Sequence, residues 1–75
     1  MAKLPRLSGK EVIKALMKAG FVSMRQRGSH VFMSKETTDG KIPLVVPMHN
    51  EIDTGTLLEI IRQSKMTREE FLRLL

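Results

Sequence analysis

Residues 21–48 of the chain read FVSMRQRGSHVFMSKETTDGKIPLVVPM. Three runs rich in apolar and β-branched residues alternate here with two pairs that favour tight turns, Gly28-Ser29 and Asp39-Gly40. This pattern is typical of neighbouring β-strands joined by short hairpins. We predict a three-stranded antiparallel meander, with strands at about residues 21–26, 30–35 and 41–48 and a polar loop at 36–40. Because Pro43 and Pro47 lack amide donors, the third strand is expected at an edge of the sheet.

A helical pattern precedes this stretch. Ser8-Gly9-Lys10-Glu11 matches a capping box, in which a serine hydroxyl and a glutamate carboxylate satisfy free amides at the start of a helix. The predicted first helix covers about residues 9–19. Its spacing of apolar residues predicts a buried face formed by Val12, Ile13, Leu16 and Met17.

Two further helices are predicted after the strands. The second covers about residues 55–65 and is capped by Asp53 or Thr54. The third covers residues 68–75, where Thr67-Arg68-Glu69-Glu70 repeats the capping box. The residues expected to pack the second helix onto the sheet are Leu57, Leu58, Ile60 and Ile61. The order α-β-β-β-α with a short extra C-terminal helix implies one α+β domain, residues 1–75, with its helices on one face of the sheet.

The composition limits the classes of protein to which the chain can belong. With 75 residues and no cysteine, it is expected to form one small domain without disulfides or a thiolate zinc site. Its formal net charge of +5 is concentrated in residues 1–35, whereas acids outnumber bases in residues 36–75. A basic half indicates a polyanionic partner, nucleic acid first among them. Charge that only keeps the protein soluble is an equal alternative.

The hydropathy of the sequence does not predict a membrane-spanning segment. No apolar run approaches the ~20 residues that span a bilayer. The basic N-terminus lacks the apolar segment of a secretory signal, so a cytoplasmic location is expected.

A histidine and two arginines stand close together at the first predicted turn. His30 opens the second strand, and Arg25 and Arg27 lie near the end of the first. When the 2′-hydroxyl of RNA attacks its own phosphodiester, proton transfers and cations are needed, and these residue types supply both without a metal. From the pattern alone, a structural histidine at a strand end is the simpler interpretation. Strand alternation places His30 on the face of Phe32 and Ser34, but it does not say whether that face is exposed.

The second histidine, His49, follows the third strand. It is expected at the same end of the hairpin as His30, either as a second proton-transfer group or as an RNA contact. His49, Glu51 and Asp53 alternate in a way that metal ligands can show. Loop acids that cap the next helix explain the pattern more simply, so no metal is expected.

The remaining surface features are less specific. Lys10, Lys14 and Lys18 share one face of the first helix and form either a phosphate track or an ordinary solvated surface. The chain has no Trp or Tyr and only three Phe. Base-stacking platforms of the RRM or OB-fold type are therefore not expected.

The motifs, taken in order, resemble the HicA family of bacterial toxins, the small mRNA interferases of HicA–HicB toxin–antitoxin pairs. The resemblance covers nearly the whole chain. It rests on Pro5-Arg6-Leu7-Ser8-Gly9-Lys10-Glu11-Val12, Ala19-Gly20-Phe21, Arg25-Gln26-Arg27-Gly28-Ser29-His30, Val46-Pro47-Met48-His49, Gly55-Thr56-Leu57 and Glu70-Phe71-Leu72. It implies a double-stranded-RNA-binding-domain-like fold, a metal-independent RNA endonuclease without a cofactor, and a HicB-type antitoxin as partner.

The resemblance also implies roles for individual residues. The catalytic histidine of the family falls in the Gly-Ser-His motif, so His30 is the expected general acid/base. Residue type and position, rather than the resemblance, give the expected RNA contacts, which are Arg25, Arg27, Ser29, Lys10, Lys14 and His49. The second helix begins Thr54-Gly55-Thr56-Leu57, without the lysines of a true double-stranded-RNA-binding domain, so single-stranded mRNA is the expected substrate. The main alternative is a non-catalytic nucleic-acid-binding domain of the same fold, and a third is a small interaction module.

Overall fold

The computed structural model describes residues 4–75; residues 1–3 of the predicted domain lie outside that part. Its elements are α1 (Gly9–Lys18), β1 (Val22–Arg27), β2 (His30–Thr37), β3 (Gly40–Pro47), α2 (Thr54–Gln63) and α3 (Arg68–Leu72). The strands form one antiparallel sheet in the order β1-β2-β3. The predicted α+β arrangement, including the edge position of β3, is confirmed.

Several boundaries differ from the predicted ones. β2 continues to Thr37 and β3 begins at Gly40, so the expected five-residue loop is a two-residue turn. Thr37 stabilises this turn, because its Oγ1 donates to the carbonyl oxygen of Gly40 at 2.7 Å and accepts from the amide of Asp39 at 3.2 Å. Side-chain bonds of this kind are characteristic of tight turns and are hard to predict from strand patterns alone. The second and third helices end earlier than predicted, at Gln63 and Leu72.

One hydrophobic core lies between the sheet and the helices. α1 packs against β1 and β3, and α2 packs against β3. The core side chains of β2 and β3 are Val31, Met33, Leu44 and Val46, and those of the helices are Val12, Ala15, Leu16, Leu57, Ile60, Ile61 and Phe71. Among residues 4–75, no helix packs on the other face of the sheet, which we call the open face.

Two of the predicted core positions are wrong. Met17 in α1 and Leu58 in α2 are exposed. In α1 the buried stripe is centred on Val12, Ala15 and Leu16, so Met17 lies at its margin, about 100° around the helix from Leu16. The two predicted capping boxes, by contrast, are both present, at the starts of α1 and α3.

Across residues 4–75, no helix has both the length and the apolar character that crossing a bilayer requires.

Candidate nucleic-acid interface

The β1–β2 hairpin places a histidine and an arginine side by side. The connecting residues are Gly28-Ser29, and Gly28 has a φ of +59°, as in type II′ turns with glycine at the first central position. This turn sets the register, in which Arg27 lies opposite His30 and Arg25 lies opposite Phe32. The two arginines that the sequence analysis grouped with His30 therefore pair with His30 itself and with the next residue on its face of β2.

His30 lies on the open face of the sheet. Its neighbour Val31 and the next residue of that parity, Met33, are buried against the helices. Side chains alternate along a strand, so His30 points to the opposite face, and it is exposed. The structure thus answers the question that strand alternation alone left undecided.

An irregularity in β1 affects which face the arginines occupy. Ser23 pairs with Met33, and the next paired residue is Arg25, opposite Phe32. Met24 is therefore the extra residue of a β-bulge. A bulge of this kind reverses the alternation of side chains along the strand that contains it.

The bulge reconciles two requirements of the sequence. Phe21, just before β1, is buried in the core, and an uninterrupted alternation from Phe21 would turn Arg25 and Arg27 toward the helices as well. With the extra residue, both arginines share the open face with His30. Sequence reasoning missed the bulge, although the conflict between a buried Phe21 and the turn register was a signal that could have revealed it.

Phe32 is a second feature that the sequence prediction did not assign to the site. The guanidinium carbon of Arg25 lies 5.2 Å from the centre of the Phe32 ring, within the range of a cation–π interaction. The other two phenylalanines, Phe21 and Phe71, are buried in the core. Phe32 is half-buried, so the open face carries an aromatic ring beside the His30–Arg27 pair.

The loop after β3 brings His49 to the same end of the sheet. Pro47, the last residue of β3, lies opposite His30, and His49 follows two residues later. The amide of the residue between them donates to the carbonyl oxygen of Ser29 at 2.6 Å, and the carbonyl oxygen of His49 accepts from the amide of Gly9 at 2.9 Å. Backbone hydrogen bonds to two other segments therefore fix the start of this loop, and His49 itself is exposed.

Asp53 caps α2, as predicted. Its Oδ1 accepts from the Oγ1 of Thr56 at 2.8 Å, and its Oδ2 accepts from the Thr56 amide at 3.0 Å. These hydrogen bonds are the main cause that lowers the pKa of Asp53, and the electrostatic attraction of His49 adds a smaller effect in the same direction. Among residues 4–75, no three His, Asp or Glu side chains are grouped closely enough to hold a metal ion.

The lysines of α1 lie apart from the open face. Lys10 and Lys14 line a groove of about 330 Å³ between α1 and the sheet, together with Ser23 and Gln26 of β1. Ser23 and Gln26 pair with the buried positions of β2, so this groove is on the helix side. The structure therefore divides the expected RNA contacts between the open face near His30 and a separate groove across the edge of β1.

A family model described as the HicA toxin of bacterial toxin–antitoxin systems matches residues 9–66. The chain belongs to the HicA toxin family. No match is found among curated proteins.

The family match covers the part of the chain that builds the candidate interface. The matched residues of this HicA toxin begin at the first residue of α1 and include all three strands and α2. Membership makes the chain the toxin component of a toxin–antitoxin pair, which implies an antitoxin partner. It also places this HicA toxin in a family known in general terms for RNase-like activity.

Proposed function

We propose that this HicA-family toxin is a metal-independent RNA endonuclease that cleaves mRNA and uses His30 as its general acid/base. The observation that carries the proposal is the cross-strand pair of His30 and Arg27 on the open face. Arg25 occupies the adjacent cross-strand position on the same face. An exposed histidine beside a guanidinium, on a face that no helix covers within residues 4–75, has the residue types and access that phosphodiester cleavage requires.

The chemistry uses a nucleophile that RNA itself carries. The 2′-hydroxyl loses its proton as its oxygen forms a bond to the adjacent phosphorus, and the bond from phosphorus to the 5′-oxygen breaks. The leaving 5′-oxygen takes up a proton, which gives a 2′,3′-cyclic phosphate and a 5′-hydroxyl. An imidazole ring can accept a proton at one nitrogen and donate one from the other, which suits His30 to one of these transfers. Arg25 and Arg27 donate to the non-bridging oxygens and stabilise the charge of the phosphorane.

Other residues complete the proposed site. His49, at the same end of the sheet, is the candidate for the second proton transfer or for a further RNA contact. Ser29, in the turn between Arg27 and His30, orients the site. Lys10 and Lys14 hold RNA that passes around the edge of β1 into the groove beside α1.

The antitoxin we propose is of the HicB type and acts by covering His30. The open face is already free of helices in the described part of the chain, so a partner can reach it without rearranging the fold. An acidic or groove-filling surface on that partner would complement the formal charge of +5. The toxin would act in the cytoplasm, where transcripts are accessible.

A comparison of wild type with His30→Ala tests the proposal. Purified proteins are incubated with a single-stranded RNA, and growth and mRNA integrity are followed after induction in cells. Loss of a general acid/base should lower the cleavage rate about 10²- to 10⁴-fold. Because His30 is exposed, the variant should keep the melting temperature of the wild type. Glu36→Gln, an exposed substitution at the far end of β2, is the matched control and should cleave normally.

Each alternative outcome has a specific meaning. If His30→Ala is folded and equally abundant but still cuts RNA, the role assigned to His30 is wrong. Intact RNA with both proteins, together with salt-sensitive binding, would identify a non-catalytic nucleic-acid-binding domain instead. A product with a 5′-phosphate end would show that water, and not the 2′-hydroxyl, is the nucleophile.

A further inference from the structure

We propose that Arg25 and Phe32 form a nucleobase-binding subsite, where one base of single-stranded RNA stacks next to the phosphate that is cleaved. This inference rests on the proposed function, because it takes the position of that phosphate from His30 and Arg27. It adds a contact to the base: the flat face of the Arg25 guanidinium stacks, while the N–H groups at its edge stay free to donate to a phosphate oxygen. The other proposed contacts involve only the sugar-phosphate chain.

The aromatic ring of Phe32 lies outside the core. Phe32 is half-buried on the open face, while the remaining phenylalanines lie in the core. It shares a solvent-open groove with Arg25 and Val45. A ring in this position contributes little to the core between sheet and helices, and a flat ligand can stack beside it on the Arg25 guanidinium that lies over it.

The ring of Phe32 also lies close to the proposed catalytic histidine along β2. Phe32 follows His30 by two residues on the same face of β2, a separation of about 7 Å along the strand. A phosphate and a base of a neighbouring nucleotide in an unpaired strand are separated by a comparable distance. A phosphate held by His30 and Arg27 therefore leaves an adjacent base within reach of Phe32.

A positive charge and apolar surface are combined around the Phe32 ring. The guanidinium of Arg25 lies over the Phe32 ring, and Val45, which is 40% exposed, lies opposite Phe32 on β3. A ligand that matches this patch is flat, partly apolar and negatively charged. Nucleotides have these properties, and bases stack both on aromatic rings and on arginine guanidinium planes.

The composition is compatible with a subsite of this size. Three phenylalanines without Trp or Tyr cannot build the multi-ring platform of an RRM, and the structure does not contain one among residues 4–75. A subsite for one base needs only one ring and its cation. The subsite therefore predicts a preference that is limited to one nucleotide position.

A single tryptophan makes the subsite directly observable. Because the chain contains no Trp, Phe32→Trp introduces one fluorophore at the proposed position of stacking. The probe is a 2′-O-methyl RNA oligonucleotide, which lacks the attacking hydroxyl and remains intact. The reference is an oligonucleotide of the same length and charge with abasic positions. We expect the tryptophan emission to be quenched by the first and unchanged by the second, while fluorescence anisotropy of labelled oligonucleotides shows that both bind.

The affinities of protein variants for the two oligonucleotides provide the second readout. Phe32→Ala should bind the base-carrying oligonucleotide about tenfold more weakly, since one stacked base contributes roughly that much. Its affinity for the abasic oligonucleotide should stay the same. Val22→Ala, which removes an exposed apolar side chain from the open face before the bulge, is the matched control and should leave both affinities unchanged. Phe32→Leu keeps an apolar side chain, so it separates loss of the ring from loss of folding.

The outcomes distinguish the subsite from the nuclease on which it rests. Equal quenching by both oligonucleotides would show a charge effect and overturn the subsite. Binding of RNA and cleavage by the wild type, without base-dependent quenching, would overturn the subsite alone and leave the open face to a protein partner. If neither the wild type nor any variant binds RNA, the proposed function fails and the subsite fails with it.

Discussion

At the scale of single residues, Gly9 shows how closely the segments around the proposed site approach one another. A Cβ at this position would lie 2.3 Å from the carbonyl oxygen of Pro47 and 2.9 Å from the Cα of Met48. Both are backbone atoms, so the contact cannot be relieved by rotating a side chain. Only glycine lets the start of α1 reach the end of β3, where its amide donates to His49.

We therefore expect Gly9→Ala to lower the free energy of unfolding by roughly 1–3 kcal/mol, the usual cost of overpacking. Gly55→Ala is the matched control in the other long helix. Its new Cβ would approach only the Oδ2 of Asp53, at 3.4 Å, and alanine favours a helix, so stability should rise by up to about 1 kcal/mol. Urea unfolding of both variants measures the difference. A Gly9→Ala protein as stable as the wild type would show that the two segments are free to separate.

The residues around the first hairpin show how much of the site can be predicted from the sequence. The turn at Gly28-Ser29 fixes a two-residue hairpin, and the pairing of Arg27 with His30 follows from it. Exposure of His30 does not follow, because Phe32 and Val31 make both faces of β2 apolar. Only the packing of the helices decides which of the two faces is covered.

At the scale of elements, the cap of α2 gives the fold a dependence on pH. Hydrogen bonds from Thr56 hold the pKa of Asp53 below its ordinary value of 3.8. A carboxylate with a lowered pKa stabilises the folded state above its unfolded-state pKa, and this stabilisation is lost as pH falls through the folded-state value. The capping carboxylate of Glu70 in α3 shows the same direction, for the same reason.

We expect the free energy of unfolding to decrease as the pH is lowered from about 5, and Asp53→Asn to reduce that decrease. Asparagine remains an acceptable cap but carries no titrating group. Thr56→Val should act in the same direction, because it removes the hydroxyl that donates to the carboxylate. Denaturant unfolding at a series of acidic pH values provides the measurement. If Asp53→Asn loses as much stability on acidification as the wild type, the cap does not contribute to the pH dependence.

Elements were predicted more reliably than their irregularities. The capping motifs and apolar periods located every helix, and the Gly-containing pairs located both hairpins. The bulge at Met24 carries no glycine or other local marker, because it results from two distant requirements: the burial of Phe21 and the register set by the turn. Features that satisfy two parts of a fold at once are difficult to infer from either part alone.

At the scale of the whole molecule, the sheet is packed on one side only. Val45 and Val46 are consecutive residues of β3, yet Val45 is 40% exposed on the open face and Val46 is 0% exposed in the core. Strand alternation turns such neighbours to opposite faces. Substitutions at these two neighbours therefore compare how much a side chain contributes to stability on the open face and in the core.

We expect Val46→Thr to lower the free energy of unfolding by about 1–3 kcal/mol, since it buries a hydroxyl without a prepared partner. Val45→Thr should change it by less than about 0.5 kcal/mol, as is usual for exposed substitutions. Both changes keep a β-branched side chain, so strand propensity is matched. Thermal or urea unfolding checks the prediction. Equal destabilisation by the two variants would mean that the isolated protein also covers its open face.

The overall architecture followed from the order and period of the apolar runs, because an α-β-β-β-α chain of this length has few ways to bury its stripes. The residues at the margins of the buried helix faces could not be predicted in the same way. Met17 and Leu58 belong to apolar patterns but lie in water, since short helices cover only part of a sheet. The division of the cations between two surfaces likewise depends on where α1 crosses the strands.

Because of the extra residue Met24, β1 is one residue longer than its pairing with β2 requires. The pairs on either side of Met24 would be consecutive in a regular ladder, so the chain holds one position more than the hairpin needs. A relative shorter by that single residue can present the same arginines beside the same histidine. An alignment gap at this point would then mark a straighter strand and would leave the arrangement of functional groups intact.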